Sequence, residues 1–296
     1  MKIYFPFIQF RTNATIIYYQ ADSPGRRSTI PYSLGHNSSS FSNSKEVESQ
    51  KTYTGKVTAG SQKRIAKAVS LLIQASPEKR IFNPVTGKHQ NFKLSFITLT
   101  VSDAKKNYTA KECYKQLLEP FILRLRRRYG VKSYIWKAEL QKRGQIHYHL
   151  TTNVFIHFSD LRNDWNNLQR KAGYLDNYFQ KKGHYDANST DVHSVVKIKN
   201  IEAYLVKYLA KKESEKESTI GKIWDCSQNL KKYNYFTEFL DSELEEKLQI
   251  LEDSGKARRV IKDRFQIVYF QDYKPTDLLN SNGKNRYEKF IQEINA

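Results

Sequence analysis

Two histidines flank a tyrosine at His147-Tyr148-His149, inside a stretch (145–156) whose alternation and β-branched residues read as a strand. Residues i and i+2 of a strand face the same way. Both imidazoles can therefore reach one ion, while Tyr148 turns to the other side. Residues 133–140 read as a second strand, and Lys142-Arg143-Gly144 as a three-residue hairpin loop with glycine where a left-handed backbone is needed. A hairpin centred on Arg143 puts Glu139 directly opposite His147, with Cβ atoms about 5 Å apart. A carboxylate beside two imidazoles is a mixed N/O donor set suited to Mg2+ or Mn2+. The competing reading of Glu139 is a plain pairing with a nearby Lys or Arg.

A second group lies downstream. Tyr204 and Tyr208 stand at i and i+4 in a helical pattern, on one face, each followed three residues later by a lysine, Lys207 and Lys211. The bland alternative is an amphipathic helix whose tyrosines cover core. As chemistry, a phenol of pKa near 10 is a poor nucleophile at neutral pH, so the phosphate it attacks must be activated or the phenolate favoured. A divalent ion on Glu139, His147 and His149 would polarise a scissile phosphate, and Lys207, Lys211 or Lys212 could steady the phosphate or the phenolate.

These residues need elements to hold them. Residues 61–75 have the apolar spacing of a helix with one buried face. Residues 94–100 (LSFITLT) read as a strand, and Thr109 with Glu112 forms a capping-box pattern opening a helix that Gly130 closes. After the two hairpin strands, Ser159 or Asp160 caps a helix to about 172. Residues 191–198 read as a strand, and Asn200 caps a last helix through 212. The order β-α-β-β-α-β plus a helix predicts an α+β, ferredoxin-like split βαβ domain: an antiparallel sheet with helices on one face and the other face free for ligands. The expected organisation is a weakly structured leader with a Ser-rich linker (1–60), a domain over 61–212 with core motifs in 94–212, and a C-terminal appendage (213–296) of unassigned role. The appendage shows a strand-like 223–227, a helix near 236–252 and a strand near 264–270.

The formal charge is +20, and it is uneven. Residues 213–296 carry 14 Lys and Arg against 16 Asp and Glu, whereas 1–212 carry 36 against 14. A field of one sign on one part of a chain points to a polyanionic partner, nucleic acid first. Arg124, Arg126, Arg127 and Arg128, ending a helix, are candidate phosphate contacts or an ordinary solvated face. Lys105, Lys106, Lys181 and Lys182 are weaker candidates. The other histidines (His36, His89, His157, His184, His193) lack ligand spacing and read as surface or structural. Cys113 and Cys226 are too few for a disulfide framework and read as reduced thiols, consistent with a cytoplasmic setting. No apolar run approaches a membrane span, and the first ten residues have no signal-peptide layout. Gly55 and Gly60 have P-loop spacing, but Ser61-Gln62 stands where Lys-Ser/Thr is required, so no fused helicase is expected.

Taken together, Phe96-Ile-Thr-Leu-Thr100, the His147/His149 pair with Glu139 upstream, and Tyr-x-x-Lys-Tyr-x-x-Lys over 204–211 resemble the HUH endonuclease superfamily. Within it they are most similar to two-tyrosine rolling-circle replication initiators of small single-stranded DNA phages. The resemblance covers about 94–212. It implies a divalent-metal-dependent single-stranded DNA endonuclease and strand transferase that leaves a 5′-phosphotyrosine and a free 3′-OH. It also implies origin DNA, possibly a hairpin, as partner, with host helicase and polymerase. Tyrosine after the histidines fits initiators and some transposases, so a single-strand transposase is one alternative. The other is a non-catalytic nucleic-acid-binding protein on a ferredoxin-like sheet; for an RNA-binding sheet the strand motif of Lys/Arg-Gly-Phe/Tyr type is missing.

Overall fold

The computed structural model describes residues 4–21, 56–84, 86–102, 109–141, 144–195, 198, 200–211 and 222–296. Strands β1 (Tyr4–Phe10) and β2 (Ala14–Ala21) open the chain as an antiparallel pair. This corrects the expectation of a weakly structured leader over that stretch, because Ile8, Phe10 and Ile17 alternate inward and are fully buried. The Ser-rich 33–49 lies outside the described residues.

One compact unit spans Ser40–Gln228. Helix α1 (Ala59–Gln74) starts at Thr58, whose hydroxyl accepts from the Ser61 N–H. Strands β3 (Lys79–Asn83) and β4 (Lys88–Phe92) form a separate two-stranded sheet. Then come β5 (Ser95–Thr100) and α2 (Ala110–Cys113), which opens on the Thr109/Glu112 capping box. One π turn (Tyr114–Leu118) leads into α3 (Glu119–Tyr129). The turn widens just before Pro120, which has no N–H for the helical ladder. Gly130 ends α3 at φ 67°. Strands β6 (Tyr134–Leu140) and β7 (Ile146–Thr152) form the hairpin, with Gly144 at φ 80°. Next are α4 (Phe158–Lys171), α5 (Asp176–Lys182), β8 (Thr190–Ser194), α6 (Ile201–Leu209) and β9 (Trp224–Cys226). The N-cap of α4 is His157, not Ser159 or Asp160: its ring accepts from the Ser159 N–H and so takes the role expected of a hydroxyl or carboxylate.

The five-stranded sheet has the order β8-β5-β7-β6-β9, and every neighbouring pair is antiparallel. One face carries the core. Ile97, Leu99, Trp136, Ala138, Tyr148 and Leu150 pack there against Leu117, Phe121 and Leu125, and against Leu161 and Trp165 of α4. Each such large side chain contributes roughly 1.5–3 kcal/mol of burial. The opposite face is not left free, as the sequence reading expected. Helix α6 touches it through Phe96, and α1 packs on both α6 and β6. The sheet therefore has helices on both sides. Strand β9 joins its edge beside β6, which moves the end of this unit past residue 212.

The other unit combines Met1–Ser39 with Asn229–Ala296. After α7 (Gln228–Lys232) it holds β10 (Thr237–Phe239), α8 (Ser242–Asp253), β11 (Ala257–Ile261), β12 (Phe265–Phe270) and α9 (Ser281–Asn295). Its sheet order is β10-β1-β2-β12-β11. The expected helix over 236–252 splits in two. A short strand precedes Asp241, whose carboxylate caps α8 by accepting from the Leu244 N–H. Arg286 of α9 grips the buried Glu238 with two hydrogen bonds of 2.8 Å. Among the described residues no helix is long and apolar enough to cross a membrane.

Candidate functional site

The β6–β7 register pairs Glu139 with His147 and Lys137 with His149. Strand alternation sends Tyr148 into the core between Trp136 and Trp165. Both imidazoles go to the other face. His149 Nε2 lies 3.1 Å from Glu139 Oε2, and its Nδ1 lies 3.3 Å from the Thr98 hydroxyl of β5. His147 Nδ1 meets Gln141 Nε2 at 3.0 Å, while its Nε2 is buried without a hydrogen-bond partner. Glu139 and His149 are thus in contact and His147 stands beside them. Among the described residues no group of three or more His, Cys, Asp or Glu side chains is gathered closely enough to be a metal cluster.

The electrostatics follow from burial and neighbours. Burial pushes the Glu139 carboxyl up. The hydrogen bond and charge of His149, then the charges of Lys137 and Lys211, outweigh this and bring it down to about 2. Burial and the charge of His149 push the His147 imidazole down to about 4, against the opposing pull of Glu139. Glu139 is therefore an anion and His147 a neutral base at neutral pH, the protonation states a metal ligand needs.

Helix α6 is capped by Asn200, whose side-chain oxygen accepts from the Ala203 N–H. Leu205 and Leu209 are its buried side. Tyr204 and Tyr208 are half-buried neighbours with ring centroids 4.9 Å apart. Burial, then the charge and hydrogen bond of Tyr208, raise the Tyr204 phenol above its usual value. Phe96 joins the two groups. Its ring stacks on His149 at 5.4 Å and meets Tyr208 at 5.6 Å and Tyr204 at 6.0 Å. Lys207 is exposed, with Nζ 5.9 Å from the Tyr208 ring centroid. Lys211 is also exposed. Lys212, Lys105 and Lys106 lie outside the described residues.

The arginine run sits elsewhere. Helix α3 packs on the core face of the sheet, away from the histidines. Arg124 and Arg128 donate to Asp164 of α4 at 3.1 and 3.0 Å, and Tyr129 donates to the other carboxylate oxygen at 2.8 Å. Asp164 is nearly buried, so these two arginines neutralise a core-edge carboxylate, which corrects their reading as free phosphate contacts. Arg126 and Arg127 are exposed, as are Lys181 and Lys182. Among the remaining histidines, His157 caps α4 and His193 pairs with Asp191 at 2.7 Å.

Four contributors escaped the sequence reading in this role: Phe96, Thr98, Lys137 and Gln141. Phe96 and Thr98 belong to the 94–100 strand, and its alternation alone puts them on the face of His149. Lys137 could have been found the same way, two residues before Glu139. Gln141 has no such signal, because it lies past the strand end.

Residues 94–213 match the family model of the replication-associated protein ORF2. No curated protein and no solved structure shows a significant match to the chain. The matched stretch contains the histidine strand, its acidic neighbour and the tyrosine helix, and it carries a Rep-like HUH domain of the ORF2 family of replication-associated proteins.

Proposed function

We propose that the chain is a replication initiator that nicks and rejoins single-stranded DNA at a rolling-circle origin. The family match supports a replication-associated function in general. The observation that carries the finer reading is the Phe96 ring, set between His149 and both tyrosines, because it joins a candidate ligand set to two candidate nucleophiles on one sheet face. The strand order, with β5 and β7 central and β8 and β6 flanking them, supports a ferredoxin-like split βαβ core.

The residues suit a hard divalent cation. The buried, unpartnered Nε2 of His147 is a lone donor position, and Glu139 and His149 supply an anion and a second imidazole. Thr98 and Gln141 hold the Nδ1 atoms, so that Nε2 is the ligating atom of each ring. Mg2+ or Mn2+ held there would supply Lewis-acid polarisation of the scissile phosphate. The chain's own work is nucleophilic. The phenol oxygen of Tyr204 or Tyr208 forms a bond to phosphorus, and the bond to the 3′-oxygen breaks with its electron pair. The 3′-oxygen takes a proton and leaves as a free 3′-OH for a host polymerase, while the 5′ side stays on the tyrosine. Reversal rejoins the strand with no outside energy, and the second phenol permits a second transfer before release. Lys207 and Lys211 stand at the exposed side of α6, where they can meet phosphate.

The test is incubation of the chain with Mn2+ and candidate single-stranded origin DNA, followed by denaturing electrophoresis. A covalent protein–DNA adduct is expected, and it disappears when Tyr204→Phe and Tyr208→Phe are combined. Cleavage that persists in the double variant overturns the tyrosine mechanism.

A further inference from the structure

We propose that Lys137 is a positioning residue that ties the end of the tyrosine helix to the carboxylate of the candidate metal site. This rests on the roles assigned above to Tyr204, Tyr208 and Glu139. Lys137 projects from the middle of β6, in register with His149 on one side and Trp224 on the other. Its side chain is 1% exposed. The ammonium donates to the Lys211 carbonyl oxygen at 2.6 Å, one residue beyond Ala210, the C-cap of α6. The same nitrogen lies 3.5 Å from Glu139 Oε1, while Oε2 faces His149. One buried cation therefore contacts both the helix that bears the nucleophiles and the carboxylate that would hold the ion. A second donor holds the same helix end: Gln62 of α1 donates to the Ala210 carbonyl at 3.0 Å.

Burying an ammonium is costly unless it is paired, and an apolar side chain of similar length would fill this place without that cost. The two acceptors that Lys137 meets offset the cost, and both have functional consequences. A helix C-terminus carries partial negative charge, which a cation stabilises. Helix α6 has only nine residues, too few to hold its place by intrinsic helicity, so its anchors decide where the phenols stand. The contact with Oε1 also fixes the rotation of the Glu139 carboxylate, leaving Oε2 directed at His149.

The experiment compares Lys137→Met, Lys137→Arg and Gln62→Ala in the full chain, by hydrogen exchange, Mn2+ titration and single-turnover cleavage. In Lys137→Met, amides of 204–211 are expected to exchange at least ~10-fold faster while those of β6 and β7 hold, because the helix end is released. Binding of Mn2+, read by loss of the free-ion electron paramagnetic resonance signal without DNA, should weaken ~10-fold, as for other outer partners of metal ligands. Single-turnover cleavage should slow ~10- to 100-fold from misplacement of the phenols, with single-stranded DNA affinity unchanged. Lys137→Arg, which keeps a donor, should recover part of each loss. Gln62→Ala should loosen 204–211 but leave Mn2+ binding as it was, since Gln62 does not touch Glu139. Wild-type exchange and wild-type Mn2+ binding in a folded Lys137→Met overturn the proposal. If Lys137→Met does not fold, wild-type exchange in Gln62→Ala, or loss of Mn2+ binding without faster exchange in Lys137→Arg, overturns it. An unmodified chain that forms no DNA adduct would instead sink the assigned reaction, while the exchange and Mn2+ results would still decide the role of Lys137.

Discussion

His149 lies flat against Phe96, with ring centroids 5.4 Å apart and planes 15° from parallel. The edges of that phenyl ring meet Tyr204 and Tyr208. A shift of the ring would be felt by the candidate ligand and by both phenols. Phe96→Leu keeps most of the apolar volume but removes the stack. The expected loss is about 1–2 kcal/mol of stability, from imperfect repacking and the lost aromatic contacts. Cleavage should fall ~10-fold or more, beyond what the small change in folded fraction explains. Thermal melting beside single-turnover cleavage separates the two effects, and a rate that tracks stability alone would count against the coupling.

Gln141 and Thr98 act on the metal site through the Nδ1 atoms they hold. Gln141→Leu and Thr98→Val should each weaken Mn2+ binding ~10-fold with little change in melting temperature. His149→Ala should abolish Mn2+ binding and cleavage together. Salt-sensitive binding of single-stranded DNA should survive in that variant, because it rests on basic residues elsewhere. Calorimetric titration with Mn2+ and a salt series of DNA affinity check both halves. Unchanged cleavage in His149→Ala would show the ligand assignment to be wrong.

The arginines of α3 divide into two kinds. Asp164→Ala leaves Arg124 and Arg128 without their shared acceptor and Tyr129 without its own. The arginines are 31% and 53% exposed and can regain water, so the expected cost is about 2–3 kcal/mol, at the lower end for a broken buried pair. Denaturant melts measure it. Arg126→Ala with Arg127→Ala should leave stability within about 0.5 kcal/mol, as at other exposed sites. If these two touch phosphate, the double variant lowers both DNA affinity and its salt dependence; unchanged affinity removes them from the DNA-binding surface.

Removing residues 1–21 takes away β1 and β2, the two strands that join β10 to β12. Ile8, Phe10 and Ile17 leave with them, exposing the apolar side of the remaining strands. The 229–296 segment should then lose its cooperative unfolding and become protease-sensitive within itself. A protease-resistant 229–296 segment in the truncated chain would contradict the composite sheet.

Local rules made much of the candidate site legible. The period of a strand puts His147 and His149 on one face, the length of the hairpin loop sets Glu139 opposite His147, and the i, i+4 spacing of a helix puts Tyr204 beside Tyr208. These follow from backbone geometry over a dozen residues or fewer, so a single sequence suffices. Tertiary structure decided the rest. Nothing local announces that α6 returns to the histidine face and rests on Phe96, that buried Lys137 reaches its last carbonyls, or that Arg124 and Arg128 turn to Asp164. Each is a meeting of side chains from elements far apart in sequence. The composite sheet is the extreme case, since Phe7 and its partner Phe239 lie near opposite ends of the chain. Periodicity reports which face of an element is apolar; what covers that face is settled only when distant segments pack.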